Sequence, residues 1–267
     1  MGGRQVSAAR RLLAEVLDGP LSEAERVAAA RSVVVRLGSA ERLSELVAEL
    51  AAGEGDPAGN ARLSYRHVLG FDKLLLLRDG SRHMLRAHVW HPGAGGAGAE
   101  DIHNHRCALA SYVVRGRLAM ELYAHEPGEA DGPGRAREPG EAQEPGEAHA
   151  PRGGGIPAAR YQESLAPGRT ADWRLEPVGP ARLRLAHAGR YAAGSDYALP
   201  AHTLHRAWCD TDAPTVTLFL ETGGERRRHT DVFTAAGPRP RTVPKVPLGV
   251  PEYLAALGSL AELLRDA

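Results

Sequence analysis

Apolar positions in the first fifty residues recur at the spacing of a helix. In SAARRLLAEVLDG, Leu12, Leu13, Val16 and Leu17 share one face. The next stretch, SEAERVAAARSVVVRLG, opens with Ser22 and Glu25 at the spacing of a capping box, which satisfies the free amides at a helix start. A third stretch, Ser39 to Ala52, stacks Leu43, Leu46, Val47 and Leu50 and stops at Gly53. Three helices are predicted over residues 7–52, followed by a loop at GEGDPAGNA.

From Leu63 the texture changes to short apolar runs broken by Gly and Pro. They predict strands at Lys73 to Leu77, His83 to Trp90, Leu109 to Arg115, Arg117 to Ala124, Arg182 to Ala188 and Thr215 to Glu221. Short strands with no helical periodicity between them suggest an all-β barrel or sandwich. Within this region EPGEA recurs at 126, 138 and 144. That stretch is too rich in Pro, Gly and charge to bury an apolar face, so a mobile hairpin insertion is expected. Near the end, Leu254, Leu257, Leu260 and Leu263 predict a helix packed on the barrel. The expected organisation is a helical segment over 1–60, a β-barrel over 61–240 with an insertion near 126–158, and a tail with a helix over 241–267.

Charge narrows the partners. The chain has 33 basic and 33 acidic residues, a balance that does not argue for nucleic acid or an anionic membrane and leaves a small molecule or a protein. Cys107 and Cys209 supply neither a disulfide framework nor a CxxC pair. The start MGGRQVSAARRLL lacks the apolar core of a secretory signal, and no run approaches a membrane span. A cytoplasmic protein is expected.

Candidate chemistry lies in the histidines. In EDIHNHRCALASYVVRGRL, His103 and His105 stand two apart before a strand, and side chains at that spacing share a face. An isolated pair of this kind is more often two exposed residues. A second cluster, His202 and His205 in YALPAHTLHRAWCDTDAPTVTLFLE, also precedes a strand, about 100 residues on. Two such clusters are what a barrel needs to converge three imidazoles on its interior.

The stretches HVWHPGAGGAGAEDIHNHRCALASYVVRGRLAMELY and LHRAWCDTDAPTVTLFLE resemble the two motifs of the cupin superfamily, within it the cysteine-dioxygenase-like branch. The resemblance covers roughly Leu63 to Val232. It implies a double-stranded β-helix, or jelly roll, with a metal on His103, His105 and His205. A cupin's usual glutamate ligand would fall just after His105, where this chain has RCALAS, which fits the three-histidine subset. Three neutral imidazoles leave a divalent ion its full charge and open positions. Fe(II) is the metal the resemblance implies, and Zn(II) or Ni(II) also suit imidazole. His202 is either a partner to this set or a rim residue.

The chain departs from the thiol dioxygenases of that branch. Their Ser-His-Tyr relay falls on Thr217, Phe219 and Glu221, and Cys107 stands too close behind His105 to match their crosslinking cysteine. Cysteine is therefore not the expected substrate. Alternation places Thr217, Phe219 and Glu221 on one face and Val216, Leu218 and Leu220 on the other. If the first set faces the cavity, Glu221 is a carboxylate near the metal that meets a substrate cation or acts as a base. If the strand ends at Leu220, it is solvated. The family's substrate-carboxylate arginine corresponds to Lys73 in FDK, and Arg86 in HMLRAHVW competes for that role. His88 is expected to be a satisfied structural histidine, and His67, His83, His91 and His229 surface or loop residues. The basic runs GERRRH and GPRPRTVPK are expected to be solvated.

The function these residues suggest is a mononuclear Fe(II) oxygenase acting on a small amino-acid-like molecule with dioxygen. In that role Lys73 or Arg86 pairs a substrate carboxylate and Glu221 a positive group. Two alternatives stand beside it: a redox-silent Zn(II) cupin catalysing isomerisation, condensation or bond formation, and a cupin that binds metal or ligand without turnover. A homodimer through the barrel edge is also open.

Overall fold

The computed structural model describes residues 3–67, 70–79, 83–93, 101–126, 155–165, 172–223, 226–234 and 241–265. Most of the insertion expected near 126–158, with its EPGEA repeats, lies outside the described residues.

The helical preface consists of α1 (Arg4–Leu17), α2 (Glu23–Leu37) and α3 (Ala40–Ala51). Ser22 and Glu25 form the capping box that their spacing predicts, and Ser39 caps α3. Helix α1 has no side-chain cap of its own. Instead the Glu49 carboxylate of α3 accepts the backbone amides of Gln5 (2.8 Å) and Val6 (3.0 Å), which joins the two helices and meets the positive end of the α1 dipole. The predicted loop holds a short helix, α4 (Pro57–Arg62), missed because its apolar content is low; Asp56 accepts from the Gly59 amide and Pro57 opens it.

The strands follow: β1 (Tyr65–Arg66), β2 (Phe71–Asp79), β3 (His83–Trp90), β4 (Ile102–His103), β5 (Leu109–Arg115), β6 (Arg117–Glu126), β7 (Ile156–Leu165), β8 (Asp172–Ala192), β9 (Asp196–Leu199), β10 (Leu204–Cys209), β11 (Thr215–Glu221), β12 (Thr230–Thr234) and β13 (Thr242–Pro244), before α5 (Val250–Arg265). The bounds of β3, β5 and β11 coincide with those read from alternation. Strand β8 runs 21 residues, far beyond Arg182 to Ala188. Strands β7, β9, β10 and β12 were not foreseen, because polar and charged residues interrupt their apolar patterns, nor were β1, β4 and β13, which are only two or three residues long.

The strands form two antiparallel sheets, in the orders β1-β2-β3-β11-β5-β9 and β13-β8-β6-β10-β4-β12-β7. The chain changes sheet at nearly every connection from β3 to β12, so paired strands wind together as a double-stranded β-helix, the cupin-type jelly roll implied by the sequence. At the tight turn between β5 and β6, Gly116 has φ +77°, and an added Cβ would lie 2.4 Å from the Thr215 Oγ1.

The first sheet is buried on both faces. Leu85, Ala87 and Val89 of β3, with Val216, Leu218 and Leu220 of β11, join the helices in one core through Leu13, Val33, Leu46 and Leu257. The alternate residues of the same strands face the second sheet, where Trp90, Leu109, Val113 and Phe219 pack with Leu118 and Met120. Helices on one side and a second sheet on the other explain why β11 is buried at every position from Thr215 to Leu220. No helix among the described residues is long and apolar enough to cross a membrane.

Candidate metal centre

The three histidines converge because two strands pair. Strand β10 lies beside β4 with His205 opposite His103, and His105 follows two residues later on the same face. One ligand atom from each ring lies within 4.8 Å of the others. The middle residue of HNH faces the other way. The Asn104 side chain donates to Asp231 Oδ2 (2.9 Å) and accepts from the Asp231 amide (2.8 Å), which fastens the ligand strand to β12. Asp231 in turn pairs with Arg160 and Arg227.

Local hydrogen bonds select the ring nitrogen. His103 Nδ1 lies 3.1 Å from the Asp101 carbonyl and His205 Nδ1 3.1 Å from that of Thr203. A carbonyl only accepts, so each Nδ1 carries the proton and each Nε2 keeps its lone pair. Burial holds all three rings neutral: His103 falls below its ordinary pKa, His105 well below, and His205 to about 3. Neutral, convergent and oriented from behind, these donors fit a divalent transition metal.

The centre opens into a cavity of about 480 Å³ between the sheets. Lys73, Arg86 and Glu221 meet on its wall. Lys73 Nζ stands 3.3 Å, and Arg86 Nε 3.9 Å, from the same Glu221 oxygen. Burial alone would raise the Glu221 carboxyl, but Lys73 and Arg86 overcome it and hold the pKa down to about 2. Glu221 thus belongs to β11 and lines the cavity, as Arg86 of β3 also does. Arg86 donates to the Leu63 carbonyl (2.9 Å), while its buried Nε has no hydrogen-bond partner.

Several histidines stand elsewhere than expected. His88 lines the cavity, stacks on Phe219 at 4.5 Å and keeps an unpartnered buried Nε2, so it is not a satisfied structural histidine. His67 lines the same cavity, stacked on Phe71 at 4.6 Å. His83 is buried and its Nδ1 accepts from the Gly223 amide. His91 is half-buried against Asp72, and His229 is exposed. His202 is an exposed residue near Glu23, outside the ligand group. Cys107 lines the cavity, but burial raises its thiol to about 12, which leaves it a weak nucleophile.

The basic runs are also only partly solvated. Lys245, from GPRPRTVPK, enters the cavity wall, as does Arg226 from GERRRH. Glu163 of β7 joins them, accepting from Thr230 at 3.3 Å. Its carboxyl is raised by burial against the pull of Arg106, Lys73 and Lys245. Strand alternation around Glu163 was the one sequence signal that could have placed it.

The sequence matches no protein-family model and no curated protein. Three solved structures illustrate its likenesses. Oxalate decarboxylase of Bacillus subtilis is 13% identical over 60% of this chain and 27% of its own, with a TM-score of 0.29. Hydroquinone 1,2-dioxygenase from Sphingomonas sp. TTNP3 is 12% identical over 57% and 65%, with a TM-score of 0.28. L-ribose isomerase of Cellulomonas parahominis is 17% identical over 70% and 84%, with a TM-score of 0.32. This chain spans less than a third of the length of the decarboxylase. Likeness at this level decides nothing about the reaction, and one scaffold hosts many chemistries.

Proposed function

We propose that this chain is a mononuclear metal-dependent enzyme in which His103, His105 and His205 hold one divalent ion, Fe(II) in the leading reading. Its reaction is then an oxygenation of a small amino-acid-like substrate by dioxygen. The observation that supports this best is the convergence of three neutral imidazoles in a cavity whose walls carry buried charge. Buried charges are costly unless paired or bound to a ligand, so such a wall is built for a polar substrate.

The ion supplies a double positive charge and open coordination positions. The protein's residues do the rest. Lys73 and Arg86 present cationic donors to a substrate carboxylate, and Glu221 fixes both by pairing with them. A substrate ammonium would meet Glu221 in competition with those two cations. Backbone carbonyls hold the His103 and His205 protons on Nδ1, so the ligand set keeps its orientation as substrate arrives. Aromatic walls exclude water from the reacting centre.

A second reading is a redox-silent Zn(II) enzyme. It is favoured by Thr217 and Phe219 at the relay positions: Thr217 lies 3.4 Å from the Trp90 indole nitrogen and Phe219 stacks on His88, so neither moves a proton toward the metal. The test is reconstitution of the metal-depleted protein with Fe(II) or Zn(II), followed by oxygen uptake and product analysis against a panel of small carboxylates. Uptake with Fe(II) alone supports the oxygenase, and turnover with Zn(II) without uptake supports the second reading. Full metal occupancy without product from either ion would overturn both.

A further inference from the structure

The cavity concentrates the large rings of a chain that has few of them. Two of its three Phe, Phe71 and Phe219, and two of its three Trp, Trp90 and Trp173, line this one space. They form a continuous wall: Trp90 stacks on Phe71 at 4.1 Å, Phe71 on His67 at 4.6 Å, and His67 stands 5.3 Å from Trp173. Tyr65 meets Trp173 edge-on at 5.7 Å. An enzyme for a compact aliphatic substrate has no use for so long an aromatic face, whereas a planar π-bearing ligand stacks on it.

Lys245 stands over that wall, its Nζ 4.4 Å from the centre of the Tyr65 ring. Two tethers hold it there: β13, directly before it, pairs with β8, and two residues after it a bridge joins Pro247 to Tyr65. Among the described residues no carboxylate stands within ion-pair distance of Lys245. Two carboxylates act on it from farther off: Glu221, already shared by Lys73 and Arg86, and Glu163, which accepts from Thr230. Burial first, then Arg86 and Lys73, lower the Lys245 pKa to about 8. The buried Arg86 Nε and Arg106 Nη2 on the same cavity also lack hydrogen-bond partners. An oxyanion brought in by the ligand is the group such cationic donors recognise.

We propose that the cavity takes an aromatic carboxylate, its ring on the Phe71–Trp173 wall and its carboxylate held by Lys245 together with Arg86. Lys245 is then a specificity-determining residue supplied from outside the barrel strands. This deepens the enzyme reading above by naming its substrate class, and the test does not depend on turnover.

The probes are benzoate, phenylacetate and 3-phenylpropionate, with the neutral amide of each and acetate as controls, titrated into the metal-loaded full chain by calorimetry. At least one aromatic acid is expected to bind at least tenfold more tightly than its amide and than acetate. Lys245→Met is expected to lose tenfold or more for that acid, with the amide unaffected and metal content unchanged, and Lys245→Arg is expected to restore most of the loss. Three results would overturn the proposal: no binding of any aromatic acid at 10 mM, equal binding of acetate, or full affinity in Lys245→Met. Repeating the titration after metal removal separates the two readings. Affinity that vanishes with the metal but ignores Lys245 means direct ligation, which sinks the Lys245 assignment and leaves the metal centre standing. Affinity that survives without metal and depends on Lys245 supports the cavity assignment whatever reaction the centre performs.

Discussion

Asn104 and Asp231 clasp one another through both side chains and backbone, with contacts of 2.9, 2.8 and 3.1 Å. Asn104 sits between two of the proposed ligands, so this clasp sets the position of both imidazoles. Asn104→Ala removes two buried hydrogen bonds and leaves Asp231 groups unmatched, at a cost of about 1–3 kcal/mol. The expected outcome is a lower unfolding midpoint in urea together with reduced metal occupancy. A variant that loses stability but retains metal at wild-type affinity would separate the clasp from the centre.

His103→Ala and His205→Ala are each expected to bring metal content close to zero with the far-ultraviolet circular dichroism unchanged. His202→Ala, on the exposed rim, is expected to retain full metal. Elemental analysis of these three variants beside the wild-type protein checks the assignment of His103 and His205.

Acid should destabilise the metal-free protein earlier than its carboxylates alone would. His67, His88, His103, His105 and His205 are all held below the ordinary histidine value of 6.5, burial being the first cause in each. Their unfolded forms take up protons that the folded forms refuse. Their stabilising contribution is thus complete above pH 6.5 and declines as pH falls, for His205 down to about 3. Each such group contributes a slope of at most about 1.4 kcal/mol per pH unit. Glu221, depressed from 4.5 to about 2, adds its own loss only below pH 4.5. Urea midpoints should fall between pH 7 and pH 5, and a flat profile across that window would contradict the buried neutral histidines.

Removing the shared carboxylate should do more harm than removing one of its cations. Glu221→Gln leaves Lys73 and Arg86 facing one another without compensation, at a cost of about 3–5 kcal/mol. Lys73→Met leaves the Arg86–Glu221 pair in place and should cost less. Thermal unfolding of both variants checks the order, and the reverse order would mean that Lys73, not Glu221, organises the wall.

What could be seen in the sequence followed period and spacing. Three preface helices, the bounds of β3, β5 and β11, and the HNH spacing are all local patterns. The pairing that sets His205 opposite His103 is not local, and β10, which carries His205, was hidden by its polar residues. His67 looked like a loop residue because its reason for burial, the stack on Phe71 and the neighbouring Trp173, exists only after β1, β2 and β8 come together. Lys245 was lost in a basic run for the same reason, since the ring beneath it belongs to β1. Glu221 was legible as to face, while its pairing with both Lys73 and Arg86 was legible only from three strands at once.

Strands β3 and β11 place successive side chains in two separate neighbourhoods, the helical core on one side and the cavity on the other. Every second position can therefore be rewritten without consulting its neighbour. Changes at 86, 88, 219 and 221 retune what the cavity accepts, while 85, 87, 216, 218 and 220 keep the helices seated. An engineer seeking a new ligand for this protein has, in those two strands, a keyboard of alternating keys in which one set sounds and the other holds the frame.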